Sequence, residues 1–199
     1  MSAAGVVIVG AGPVGLVLAL RLAQAGVAST LLEAEAQPPL DLRASTFHPP
    51  TLEMLGELGL AAPLIARGLI TPHWQIRLHE TGECARFDLG LLSADTPHPY
   101  RLQCEQSVLS ALALALAEHD PAITVRRSFR ATALTQDADG VTVTGADGEQ
   151  VRAAWVVGCD GARSLVRDAA GFVFEGFTYP ETTILATTPF ALEEHLAQL

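Results

Sequence analysis

Apolar positions along this chain alternate between a strand rhythm and a helix rhythm. Val6 to Val9 is a short continuous apolar run ending in Gly10, the pattern of a strand buried on both faces of a parallel sheet. Pro13 to Ala25 then changes to good helix formers. Pro13 sits in the first turn, where its missing N–H leaves nothing unsatisfied, and Gly26 provides the stop. Ser29 to Glu33 returns to a strand. Strand, helix and strand in this order predict a βαβ unit with parallel strands and a right-handed crossover.

The pattern then changes. Beyond Pro38-Pro39 an irregular stretch runs to Pro49-Pro50, and Pro50 opens a helix through Leu58 that Gly59 closes. Trp74 to Glu80 and Cys84 to Leu89 flank Thr81-Gly82 and predict a hairpin. Glu105 to His119 is a helix apolar nearly all round, which predicts burial on every side. Arg130 to Gln136, Val141 to Thr144 and Gln150 to Ala154 are separated by Asp139-Gly140 and Asp147-Gly148, strong hairpin turns, and predict a three-strand antiparallel meander. Ala154 to Gly158 reads as a second buried strand. A short helix is expected from about Arg163 to Ala169, a strand around Thr183 to Pro189 and a helical end from Glu193.

Composition narrows the function classes. A net charge of −10, with only Arg126 and Arg127 adjacent among the basic residues, excludes a phosphate-neutralising surface for nucleic acid. The chain has no Lys, so a Schiff-base or P-loop lysine is impossible. Its longest apolar stretch, Val108 to Ala117, is far shorter than the roughly 18 residues that span a bilayer. No basic and apolar leader precedes Val6, so no membrane partner and a cytoplasmic location are expected. Cys84, Cys104 and Cys159 fit no CxxC pair and read as reduced thiols.

The candidate chemistry lies in Gly10-Ala11-Gly12-Pro13-Val14-Gly15, a GxGxxG between a predicted strand and a predicted helix. The first glycine permits a tight turn, the second lets a pyrophosphate approach the backbone, and the third lets helix and strand pack closely. Phosphates would then meet free amides at the positive end of the helix. Glu33, followed by Ala34, ends the second strand about 20 residues on, where a carboxylate accepts from the ribose hydroxyls of an adenosine. A glycine-rich turn without a ligand is the competing reading, and the βαβ frame with Glu33 weighs against it. A carboxylate there repels a 2′-phosphate, which leaves FAD and NAD.

An NAD-dependent dehydrogenase should continue with alternating helices and parallel strands. This chain instead inserts a loop, a hairpin, a helix and a meander before reaching Cys159-Asp160-Gly161-Ala162-Arg163-Ser164-Leu165-Val166-Arg167. With GAGPVG and Glu33, Arg43-Ala44 ahead of a helix, and this CDGARSLVR segment, it resembles the group A flavin-dependent aromatic hydroxylases. The resemblance implies an α/β fold: a Rossmann-like FAD-binding βαβ with a parallel sheet and an antiparallel meander, plus part of a second α+β substrate domain. Residues 1–71 and 97–170 would form the FAD-binding domain, and 72–96 and 171–199 part of the substrate domain.

The resemblance further implies that Arg43 lies beside the flavin and its pyrophosphate. Asp160 and Gly161 would contact FAD, Gln103 would lie along the ribityl chain, and Ala131 would offer its backbone to the adenine. The implied activity is hydroxylation of a small aromatic or polycyclic phenolic substrate with O2, through a flavin C4a-hydroperoxide, with NADPH or NADH as transient reductant. No catalytic side chain or metal is assigned, because the cofactor carries the hard chemistry. His48 and His73 read as loop or packing residues. The family's third flavin motif, a downstream Gly-Asp followed by Ala-Ala-His or similar, is not in this chain, which therefore reads as the front part of a longer protein. A reductase, dehydrogenase or halogenase of the same fold, or a non-catalytic FAD-binding fragment, are the alternatives. Oligomeric state is not legible in these residues.

Overall fold

The computed structural model describes residues 4–37, 44–78, 80–182, 188–191 and 194. Its first unit is β1 (Ala4–Val9), α1 (Pro13–Gln24) and β2 (Ser29–Leu32), with β1 and β2 parallel. Pro13 occupies the start of α1, and Gly26 at φ +74° ends the turn that follows it, its amide and that of Val27 returning to Ala23 and Leu22. Next come β3 (Thr46–Phe47), α2 (Pro49–Gly56), α3 (Ala61–Ile65) and β4 (Leu69–Thr71). The expected hairpin is β5 (His73–Arg77) and β6 (Cys84–Asp88), a two-stranded sheet of its own, followed by a single 3-10 turn over Leu89–Leu92.

The remaining elements close the sheets. They are β7 (Arg101–Gln103), α4 (Gln106–His119), β8 (Ile123–Arg126), β9 (Ala131–Asp137), β10 (Gly140–Gly145), β11 (Gln150–Gly158) and α5 (Leu165–Ala169). The main sheet has the order β8-β2-β1-β11-β10-β9. β8, β2, β1 and β11 run parallel, whereas β10 is antiparallel to both β11 and β9. A smaller antiparallel sheet, β3-β7-β4, sits beside it.

Two apolar clusters cover the faces of the main sheet. Val6, Ile8 and Leu31 pack with α1, α2, α3 and α4 through Leu16, Leu20, Leu52, Leu55, Leu64 and Leu109. Val7, Val9 and Leu32 on the other face pack with Phe129, Val143 and Ala153. Each fully buried leucine here contributes about 1.5–3 kcal/mol by its removal from water.

Three expectations are corrected. The third meander strand and the strand at Ala154 to Gly158 are one continuous nine-residue strand, β11, whose first half pairs with β10 and whose second half pairs with β1. That strand is not buried on both faces: Trp155, in register with Val6, is 71% exposed, because α1 and α4 cover β1, β2 and β8 and stop short of it. Likewise α4 buries Leu109, Ala113, Leu114 and Ala117 while Leu116 on its far side is exposed. Strand β8, the β3-β7-β4 sheet and α3 had no legible pattern, since strands of two to four residues carry too few positions for a period. The strand expected from Thr183 and the helical end from Glu193 fall on segments outside the described residues.

Candidate functional site

From β1 the parallel strands build outward to β2 and β8 on one side and to β11 on the other. In open α/β sheets the crevice at such a switch point, outside the carboxyl ends of the strands, is where ligands bind. Here those ends carry Gly10 and Cys159-Asp160-Gly161, laced together by the Cys159 amide donating to the Val9 carbonyl at 2.7 Å and the Gly10 amide to Leu32 at 2.8 Å. A cavity of about 670 Å³ opens there.

The three motif glycines answer three different constraints. Gly10 adopts φ +103°, and a Cβ on it would lie 2.4 Å from the Cys159 carbonyl oxygen. A Cβ on Gly15 would lie 2.0 Å from the Gly10 carbonyl oxygen. Gly12 is different: nothing in the protein lies within 4 Å of its ideal Cβ, and it lines the cavity. Its freedom serves the space outside the chain. As residue before α1 it carries no capping side chain, so the first-turn amides of Val14 and Gly15 have no intrahelical partner, a ready seat for an anion.

Glu33 closes the turn from the other side. Its carboxylate accepts the Ala11 amide at 2.8 Å through Oε2 and the Glu35 amide at 2.9 Å through Oε1. Glu33 and Ala34 both line the cavity. The amide of Phe129 donates to the Glu33 carbonyl at 2.8 Å, and Ser128, at φ +58°, turns the chain so that Phe129, Arg130 and Ala131 complete that end of the cavity.

Asp160 holds the opposite end. Its Oδ2 accepts the Val166 amide at 3.1 Å and the Ser164 hydroxyl accepts the Arg167 amide at 3.0 Å, so the two side chains together start α5. Asp160 Oδ1 is sequestered and has no hydrogen-bond partner. Asp160 is a cavity-lining residue, so the carboxylate keeps unused acceptor capacity beside that space. Beside it burial, and then the Asp160 carboxylate, push the Cys159 thiol above its ordinary range.

Cations line the same space. Arg127 pairs with Glu118 and Arg130 with Glu35, whereas Arg163 has no ion pair among the described residues. An open helix end, a guanidinium without an ion pair among the described residues and two carboxylate acceptors make a set of hydrogen-bonding groups that fits a dinucleotide with a hydroxylated chain.

Of the residues singled out in the sequence, Gly10 to Val14, Glu33, Ala34, Ala131, Asp160 and Gly161 line the cavity. Gly15 lies behind it as packing. Gln103 does not line it; its side-chain oxygen accepts the Thr46 hydroxyl at 2.9 Å within the β3-β7 pair. Arg43 lies outside the described residues. Sequence reasoning missed Arg163, although it stood inside CDGARSLVR, and Gln106, Ser107 and Ser110 on α4, which only the crossover into β8 brings alongside the turn.

The fold and this crevice define a Rossmann-like dinucleotide-binding α/β domain. The chain belongs to the FAD binding domain family, whose model matches residues 3–195. It is 37% identical over 190 residues to para-nitrophenol 4-monooxygenase of Pseudomonas sp. (strain WBC-3), a match covering 94% of this chain and 47% of that protein. The crystal structure of p-nitrophenol 4-monooxygenase from Pseudomonas putida DLL-E4 superposes with a TM-score of 0.83 at 37% identity, covering 90% of this chain and 46% of the other. A ternary complex of aklavinone-11 hydroxylase with FAD and aklavinone superposes with a TM-score of 0.72 at 31% identity, covering 86% and 35%. The chain thus spans about half or less of the length of these relatives.

Among the described residues no helix is long and apolar enough to cross a membrane, and no group of three or more His, Cys, Asp or Glu side chains could hold a metal ion.

Proposed function

We propose that this chain is the FAD-binding part of a monooxygenase that hydroxylates an aromatic or polycyclic phenolic substrate with O2, using NADPH or NADH as transient reductant. The observation that carries the reading is the single crevice in which Gly12 stands open, Glu33 is fixed at the end of β2 and Asp160 Oδ1 lacks a partner. In this reading the Gly10–Val14 segment and α1 hold the pyrophosphate, with Arg163 and Arg43 offsetting its charge. Glu33 and Ala34 take the ribose, the Ala131 backbone flanks the adenine, and Asp160 and Gly161 meet the ribityl chain. Gln103 joins them by exchanging its Thr46 bond for a ribityl hydroxyl.

When bound, the flavin supplies the activation of oxygen. The chain's own contribution is to bind and orient: helix amides and guanidinium neutralise the diphosphate, the two carboxylates fix hydroxyls, and the apolar strands behind Gly10 exclude water. The separate hairpin β5-β6 and residues 171–199 belong, in this reading, to a substrate domain, and the exposed Trp155 is where the rest of the protein covers β11. Three free cysteines accord with a reducing, cytoplasmic location.

The test is reductant oxidation by the full-length flavin-loaded protein under isotopically heavy O2 with a panel of phenols. Substrate-stimulated NAD(P)H consumption with label in the product is expected. Reductant consumption without labelled product for any phenol would overturn the assignment in favour of a reductase or dehydrogenase.

A further inference from the structure

The segment from the end of β8 into β9 carries three arginines, and each meets a carboxylate from a different part of the chain. Arg126 pairs with Glu149 ahead of β11 and lies over the Phe129 ring, 5.0 Å from its centroid. Arg127 pairs with Glu118 near the end of α4. Both pairs lead away from the crevice, since neither Glu149 nor Glu118 lines it. Arg130 is different. It reaches Glu35, just beyond β2 and 95 residues earlier in the chain, at 2.6 Å. Among the described residues this is the one ion pair whose two members both line the cavity.

The main chain fixes both members of the pair. The Glu35 amide donates to Glu33 Oε1 at 2.9 Å, and the Arg130 carbonyl accepts the Ala146 amide at 2.9 Å. The two walls are already joined by backbone, the Phe129 amide donating to the Glu33 carbonyl at 2.8 Å and the Ser128 amide to the Glu35 carbonyl at 3.4 Å. The side-chain pair is therefore not what holds the walls together, and with both side chains more than half exposed it contributes little to folding. Its place is the rim of the crevice. Glu35 follows Glu33 and Ala34, and Arg130 precedes Ala131, the three residues that take the adenosine in the function proposed above.

We propose that the Glu35–Arg130 pair is a clasp on the rim, which closes over the adenosine end of the bound dinucleotide and slows its release. This rests on the reading that the crevice holds FAD with its ribose at Glu33. The chemistry suits the position. A guanidinium plane lies flat against an aromatic heterocycle and stays charged at any working pH, so Arg130 covers the adenine while Glu35 holds the guanidinium in place. A base on the inner side displaces water from the pair and lowers the local dielectric, so the pair is stronger with the cofactor bound than without it. Departure of the cofactor requires the pair to part, and the effect falls on the rate of release.

The experiment uses the full-length flavin-loaded protein, its Arg130→Gln and Glu35→Gln variants, and the exchanged double variant Glu35→Arg with Arg130→Glu. FAD release is followed by flavin fluorescence after dilution, at low and high salt, beside thermal melts of the flavin-free proteins. Each single variant should release FAD about two- to five-fold faster, the range of one exposed ion pair. The exchanged pair should recover part of the slow release. Salt should accelerate the wild type toward the rate of the variants and leave the variants nearly unchanged. The flavin-free melts should coincide. Release at the wild-type rate in both single variants overturns the proposal. So does faster release that comes with lower melting temperatures and is not recovered by the exchange, which would mean a structural role. If the protein takes up no FAD, the reading of the crevice fails and the clasp with it; if it takes up FAD and the variants release it no faster, only the clasp fails.

Discussion

The Glu33 carboxylate accepts the backbone amide of Ala11 at 2.8 Å, tying the end of the second strand to the middle of the glycine turn. The residue expected at the ribose therefore also sets the shape of the pyrophosphate turn. Glu33→Ala should weaken FAD binding by about 1.5–3 kcal/mol, the value of hydrogen bonds to a charged group, and lower the melting temperature of the flavin-free protein as well. Glu33→Gln keeps one acceptor and should lie between. Flavin fluorescence titration and thermal melts measure the two effects separately; an unchanged affinity in Glu33→Ala would remove Glu33 from the site.

The three glycines should separate by phenotype. Gly12 has φ −68° and open space around it, so Gly12→Ala and Gly12→Val should fold with the normal circular dichroism spectrum, and the valine variant should lose flavin because its side chain fills the pyrophosphate approach. Gly15→Val puts a side chain where even a Cβ would sit 2.0 Å from a carbonyl oxygen, and should not give a folded protein. Flavin retention at full occupancy in Gly12→Val would contradict the assignment of the motif.

Asp160 and Ser164 start the same short helix. Ser164→Ala should destabilise the protein by about 1 kcal/mol, the usual effect of losing an N-terminal cap, without changing flavin affinity. Asp160→Ala removes both the Val166 bond and the unpartnered Oδ1, so stability and flavin affinity should fall together. Denaturant melts and flavin titration of the two variants distinguish cap from ligand.

Thiol reactivity should follow burial. Cys84 is exposed and should alkylate first, whereas Cys104 is buried. Burial and the neighbouring Asp160 carboxylate raise the Cys159 pKa, so less thiolate is present at neutral pH and its alkylation should accelerate only above the ordinary thiol range. Because Cys159 lines the crevice, FAD should protect it. Mass mapping of iodoacetamide adducts against pH, with and without flavin, reads all three; unaltered Cys159 labelling on FAD binding would place the cofactor elsewhere.

The sequence by itself determined the βαβ unit, its glycine turn and the acid at its end, because a buried parallel strand, a Pro-started helix and a Gly-stopped turn are each written in contiguous residues. It also determined the meander, through two Asp-Gly turns that leave few other pairings. Only the tertiary structure decided that β11 runs on from the meander to lie beside β1, since nothing in an apolar run specifies its neighbour. That one pairing brings Asp160 and Arg163 to a crevice whose glycines precede them by about 150 residues, and it leaves Trp155 in the open although its run reads as core.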